Sequence, residues 1–327
     1  MRLLRALPLA LLACASSPSP VAPPVDASTP DVDVALLEDV STPDVDVALP
    51  DVAPPPACAS CAAYGDTVTL ATISSPLITE TSGIVESPTQ PGVYFVHNDS
   101  GDAARIYALG SDGELLATYA LDGVTARDWE DLSVGPCPAG RCLYVGDIGD
   151  NAMTRSDLAV YRVALPDVVR GDDRALPSER FAFAYPDGPH DAEALASRAD
   201  TGDLYVLTKS NAGSTVYRFP LPLDPSARVT LTRVATLAIP AEGSPLVTAA
   251  ELHPCEARLL VRTYTRVWEF APPAGADFES MFTTAPRRLP AFNEVQAESI
   301  AWHADGRGYV TVSEGRSQGV HDTRCAP

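Results

Sequence analysis

RDWEDLSV, residues 127–134, sets three carboxylates and an arginine around a tryptophan directly ahead of an apolar run. The stretch recurs. HDAEALAS at 190–197 and QAESIAWH at 296–303 repeat it closely, while ETSGIVES at 80–87 and VTAAELHP at 247–254 share the pattern more loosely. Aligned, the five copies put Ser82, Glu130, Glu193, Ala250 and Glu298 in one register, with steps of 48, 63, 57 and 48 residues. A stronger β-branched and aromatic run follows each copy: GVYFVHND, CLYVGDIGDN, DLYVLTKS, RLLVRTYT and GYVTVSEG. The first four copies have a third run, RIYAL, LAVYRV, TVYRF and RVWEF.

Runs of this length, alternating every second residue and punctuated by Gly, Asp, Asn and Pro, predict an all-β domain. Repeats of several strands apiece, each able to bury its faces only against its neighbours, predict a β-propeller. Five blades are counted, six being the alternative. The last copy has too little chain after Glu298 for four strands, whereas TVTLATI at 67–73 precedes the first blade without a partner. That N-terminal strand is therefore expected to complete the C-terminal blade.

The chain opens MRLLRALPLALLAC, with Arg2 and Arg5 ahead of an apolar run, which reads as an export signal over residues 1–13. Its end resembles a bacterial lipoprotein box, and that resemblance implies lipidation at Cys14 and delivery to an outer membrane, with Ala15 behind it. Residues 14–57 contain STPDVDVAL twice, at 28–36 and 41–49, with eight acidic residues in 15–57 and no Lys or Arg. This composition predicts an extended, solvated tether that buries no core, leaving residues 58–327 for the propeller.

Six cysteines remain: Cys58, Cys61, Cys137, Cys142, Cys255 and Cys325. An even number in an exported chain reads as disulfides. Ring closure would bring Cys58 and Cys61 near Cys325, so one of the two is expected to bridge to it. Cys137 and Cys142 flank the tight turn PAG and are expected to bridge a hairpin. Cys58-x-x-Cys61 follows a proline-rich segment rather than a strand leading into a helix, which disfavours a redox motif.

In a propeller the first strand of each blade lines the central channel, and the loops entering it share one rim with the loops leaving the second strand. RDWEDL falls on that rim, with His97 to Asp99, Asp147 to Asn151, His190, Asp191, Lys209, Arg262, Arg266, Glu294, Glu298 and Glu314. Glu130, Glu193 and Glu298 would face one another, and like charges sharing a site cannot all ionise without compensation. Hard oxygen ligands suit Ca²⁺, so Glu130, Glu193, Glu298, Asp128 and Asp147 are the candidate metal ligands. The bland alternative is that these carboxylates only hydrogen-bond backbone amides at the blade starts. Trp129 reads as a packing residue, and rim histidines His97 and His190 as hydrogen-bonding groups rather than proton shuttles.

GVYFVHNDSGDAARIYAL, DLYVLTKSNAG and QAESIAWHADGRGYVTVSEG resemble strands of the calcium-dependent β-propeller phytases and phytase-like secreted proteins. The chain also resembles exported propeller lipoproteins carrying HNDSG, DWE-x-L and VGDIGDN. The phytase resemblance spans roughly residues 80–316 and implies a phosphate contact at Lys209 and a calcium contact at Glu298, with Glu314 nearby. HNDSG lacks the lysines of that family, and its members have six blades.

The formal charge of −20 excludes nucleic acid as a partner and leaves a membrane only as the site of a lipid anchor. Lys209, the only lysine in the chain, and Arg262 are the expected contacts for a small anionic substrate. Three functions follow: a calcium-dependent phosphoesterase, a non-catalytic ligand- or protein-binding propeller, and a five-bladed glycoside hydrolase using two of the channel glutamates. The last is disfavoured by few rim aromatics, Trp129 and Tyr264 being the candidates. HExxH, GxxxxGK and GxGxxG are absent. A monomer is expected.

Overall fold

A computed structural model describes residues 58–327. The expected export signal, lipidation at Cys14 and tether fall outside the described residues. Five small sheets form a five-bladed β-propeller. The inner strands, one per blade, are Thr81–Glu86, Trp129–Cys137, Ala192–Ser197, Val247–Leu252 and Ala297–Trp302. Each contacts the next, and the fifth returns to the first, so the ring is closed.

The fifth blade is completed by Val68–Thr72, which pairs antiparallel with Gly319–Arg324. Closure therefore follows the expectation from the unpartnered N-terminal strand. Cys61–Cys325 fastens this seam and Cys137–Cys142 crosses the second-blade hairpin, while Cys58–Cys255 ties the N-terminal segment to the fourth blade. Three disulfides fit an oxidising environment. No helix among the described residues is long and apolar enough to cross a membrane.

Burial explains why the second strands read as continuous apolar runs. Val93–Asn98, Leu204–Thr208 and Leu259–Thr263 lie between neighbouring blades and are covered on both faces. Outer strands such as Ser178–Ala184 are covered on one face only, with Phe181 and Phe183 buried and Ala182 and Ala184 half-buried. The apolar core is divided into five clusters, one at each blade interface. Trp129 belongs to the cluster between the first two blades, edge-on to His97 with ring centroids 5.7 Å apart. It is a packing residue.

Two features were not expected from sequence. Asp173–Leu176 adds a fifth, parallel strand to the outer edge of the first blade, and Arg228–Thr230 does the same for the second. Each comes from the chain of the following unit and covers an otherwise unpaired sheet edge.

Candidate metal centre at the channel mouth

Every inner strand carries a register shift at the same height. The shifts lie between Thr81 and Gly83, Trp129 and Asp131, Ala192 and Ala194, Val247 and Ala249, and Ala297 and Ser299. The intervening residues are Ser82, Glu130, Glu193, Thr248 and Glu298. A bulge re-aims its side chain, which gives the mouth one residue per blade. The fourth member is Thr248, which corrects the sequence register that had placed Ala250 there.

The hydroxyls and the carboxylates in this ring behave differently. Ser82 Oγ donates to the Glu130 carbonyl at 2.6 Å, and Thr248 Oγ1 donates to the Ala297 carbonyl at 2.8 Å. They staple their strands to the next blade. Glu130, Glu193 and Glu298 have no such use and are nonetheless buried.

A second ring follows from the pairing. The residue after each second strand sits beside the residue before the first: Asp99 N–H donates to the Glu80 carbonyl, Lys209 to Asp191 and Glu314 to Gln296. Asp99, Lys209 and Glu314 thus occupy equivalent rim positions. Asp99, Asp128 and Glu130 offer carboxylate oxygens all within 4.8 Å of one another. A Cβ on Gly149 would lie 2.1 Å from Glu130 Oε1 and 2.6 Å from Asp128 Oδ2. The glycine of VGDIGDN is what allows these two carboxylates to approach the loop.

Charge compensation is sparse. Lys209 Nζ meets Glu193 Oε1 at 2.7 Å and stands 5.2 Å from the Tyr264 ring centroid. Burial pulls the lysine down, but Glu193 more than offsets it and holds the ammonium above its usual range. Burial first and the Glu193 charge next push Glu130 well above the usual carboxylate range. The same two causes, in the same order, raise Glu298 to about 8. Burial and then Asp99 raise Glu314 to about 7, and burial with Asp128 raises Asp99 to about 6. Glu298 is only 4% exposed, yet its Oε2 has no hydrogen-bond partner.

Of the expected ligands, Asp128 and Glu130 enter the compact group, and Asp99 joins them although sequence reading had named it only as a rim residue. Glu193 and Glu298 hold the same bulge position on the third and fifth blades, and the Glu193 charge helps to raise both Glu130 and Glu298. Asp147 is drawn away: its Oδ1 accepts from Arg155 Nη2 at 2.6 Å and from the Asp128 N–H at 3.2 Å. Arg262 is fully buried with Nη2 on Glu294 Oε2 at 2.6 Å. Its expected contact with a substrate is thereby corrected, because an enclosed and paired guanidinium presents no surface to a ligand. His97 is fully buried with Nδ1 at 2.8 Å from the Asn98 carbonyl, and burial lowers it to about 4. His190 lies against Asp187 and Tyr217.

Asp131, the third carboxylate of RDWEDL, has a structural post that sequence reading missed. It accepts the N–H groups of Leu132, Leu195 and Ala250 and so joins the second, third and fourth blades. The signal was its place one residue beyond the bulge. A surface groove of about 680 Å³, lined by Thr265, Arg266, Arg288 and Phe292 among others, contains none of the mouth carboxylates. No protein-family model and no curated protein matches the chain.

Proposed function

We propose that this is an exported, lipid-anchored β-propeller that binds calcium at the channel mouth through Asp99, Asp128 and Glu130, with Glu193 and Glu298 beside them. The observation that carries the reading is Glu298 Oε2: a buried carboxylate oxygen without a donor, beside a group of three further carboxylates whose oxygens lie within 4.8 Å of one another. The residues fit the ion, since calcium takes several carboxylate oxygens in loose geometry. Gly149 leaves open the approach that a side chain would fill.

The bound ion would supply the positive charge for an anionic ligand, because the protein's own cations at the mouth are committed. Lys209 holds Glu193, and Arg262 is enclosed with Glu294. Capture of a phosphate-bearing ligand is therefore the primary reading. Hydrolysis of a phosphate ester is the second, favoured by Glu298, a buried carboxylate at the mouth with an oxygen free of any donor.

The test is the thermal midpoint of the full chain in chelator and across a calcium titration, for the wild type, Asp128→Asn and Glu298→Gln. Calcium at about 100 times its Kd should add roughly 2.7 kcal/mol, on the order of 5–10 °C for a domain of this size. A flat wild-type response overturns the metal site. A rise that survives both substitutions puts the ion elsewhere. Phosphate release from p-nitrophenyl phosphate and inositol hexakisphosphate, with and without calcium, then separates capture from hydrolysis.

A further inference from the structure

The inner strands end together at the opposite mouth, where they enclose a separate cavity of about 60 Å³. Every blade contributes to its wall, for example through Pro88, Val134, Ser197, Glu251 and Trp302. Most charge there is already spent. His303 Nδ1 lies 3.0 Å from Glu86 Oε2 and its Nε2 lies 2.7 Å from Asp322 Oδ1. Glu86 also accepts the N–H groups of Gly92 and Ala304. Arg141, an exposed side chain of the wall, donates to the Ala199 carbonyl.

Two oxygens remain unspent. Glu251 Oε2 accepts the Trp302 N–H, while Oε1 accepts no hydrogen bond from the described residues. The Ser197 hydroxyl is buried without a partner. Its position is made possible by Gly135, where a Cβ would fall 2.0 Å from Ser197 Oγ. Around these oxygens the wall is apolar, formed by Pro88, Val134, Leu252, Pro254 and Trp302.

A carboxylate oxygen and a hydroxyl are too few for calcium, which takes six to eight oxygens. They suit a group with several N–H donors and a hydrocarbon stem. The cavity has the volume of about two waters in the liquid, which matches a small head group rather than a whole metabolite. We propose that the lower mouth binds a primary ammonium group carried on a short aliphatic chain, with Glu251 and Ser197 as its acceptors. This site shares no residue with the upper mouth and stands independently of the calcium reading.

The test is titration of the full chain with n-propylammonium chloride, followed by saturation-transfer NMR, with sodium propionate as the comparison. Binding should be saturable, specific to the ammonium and weakened about tenfold or more in Glu251→Gln, as expected for a charge-assisted hydrogen bond. Ser197→Ala, which keeps the carboxylate, should weaken it by a smaller factor and guards against misfolding of the first variant. Absence of saturable binding in the wild type means that the cavity holds water alone and overturns the proposal. Binding that both variants leave unchanged, or that Glu130→Gln abolishes instead, overturns it equally.

Discussion

Both mouths of the channel bury carboxylates, but they handle them in opposite ways. At the lower mouth Glu86 and Asp322 clasp His303 between them, and Glu86 takes two backbone N–H groups as well. At the upper mouth Asp99, Asp128 and Glu130 face one another, Lys209 answers only Glu193, and Glu298 Oε2 has no donor. Density of acidic groups is thus common to both ends, but the lower leaves a single carboxylate oxygen, Glu251 Oε1, without a donor among the described residues, and most of the unmet charge lies at the upper end. A buried charge is costly unless it is paired, so the unmet end is where an added cation gains most.

The largest test of this contrast is removal of His303. His303→Ala strands Glu86 and Asp322 in a buried setting, and breaking a buried pair from one side costs about 3–5 kcal/mol. The thermal midpoint should fall by on the order of 10 °C, equally in chelator and in calcium. Asp128→Asn in chelator should leave stability unchanged or raise it, because it removes a charge from a crowded set. If His303→Ala melts with the wild type, the lower network is not stabilising and the contrast fails.

A smaller effect is expected from pH. Asp99, Glu314 and Glu298, at about 6, 7 and 8, all lie above their unfolded values. Stability from such groups is fully present below the unfolded values, near pH 4, and is lost as pH rises through the folded ones. His303 is also raised, by its bonds to Asp322 and Glu86 against the pull of burial, and acts in the same direction from a higher start. Glu86 and Asp322 are lowered by His303 and backbone or arginine partners, against burial, and lose their contribution only as pH falls below about 4. His97, lowered to about 4 by burial, works in the opposite sense up to its unfolded value of about 6.5. In chelator the midpoint should therefore decline from about pH 6.5 to about pH 8. Saturating calcium should flatten the decline, and Glu298→Gln should remove its upper part. An identical slope in Glu298→Gln would mean that Glu298 does not titrate in this range and would leave the decline to Glu314, Asp99 and His303.

What the sequence disclosed of this arrangement follows from which signals survive without coordinates. Five copies of one strand pattern and an unpartnered TVTLATI were enough for the closed ring and its seam, because blade repetition is written as repetition of residues. The bulge height was harder. In VTAAEL, sliding from Thr248 to Ala250 moves two residues and preserves the inward and outward alternation, so hydrophobic pattern cannot tell them apart. The added edge strands DRAL and RVT are too short to show a period. Arg262 and Lys209 read alike as rim cations, since no composition reveals that Glu294 encloses one and Glu193 holds the other. Asp99 lacked the repeated context that flagged Glu130, and its approach to Asp128 spans two blades.

The smallest effect separates the hydroxyls of the mouth ring from its carboxylates. Ser82 occupies the bulge position of Glu130, Glu193 and Glu298, but its hydroxyl is spent on the Glu130 carbonyl of the next blade. Ser82→Ala should cost about 1 kcal/mol, the net worth of one hydrogen bond. The affinity for calcium should not move, since no carboxylate is altered. A loss of calcium response in Ser82→Ala would mean that the staple sets the height of Glu130 at the mouth. The ring would then act as one device, in which the blades without carboxylates position those that have them.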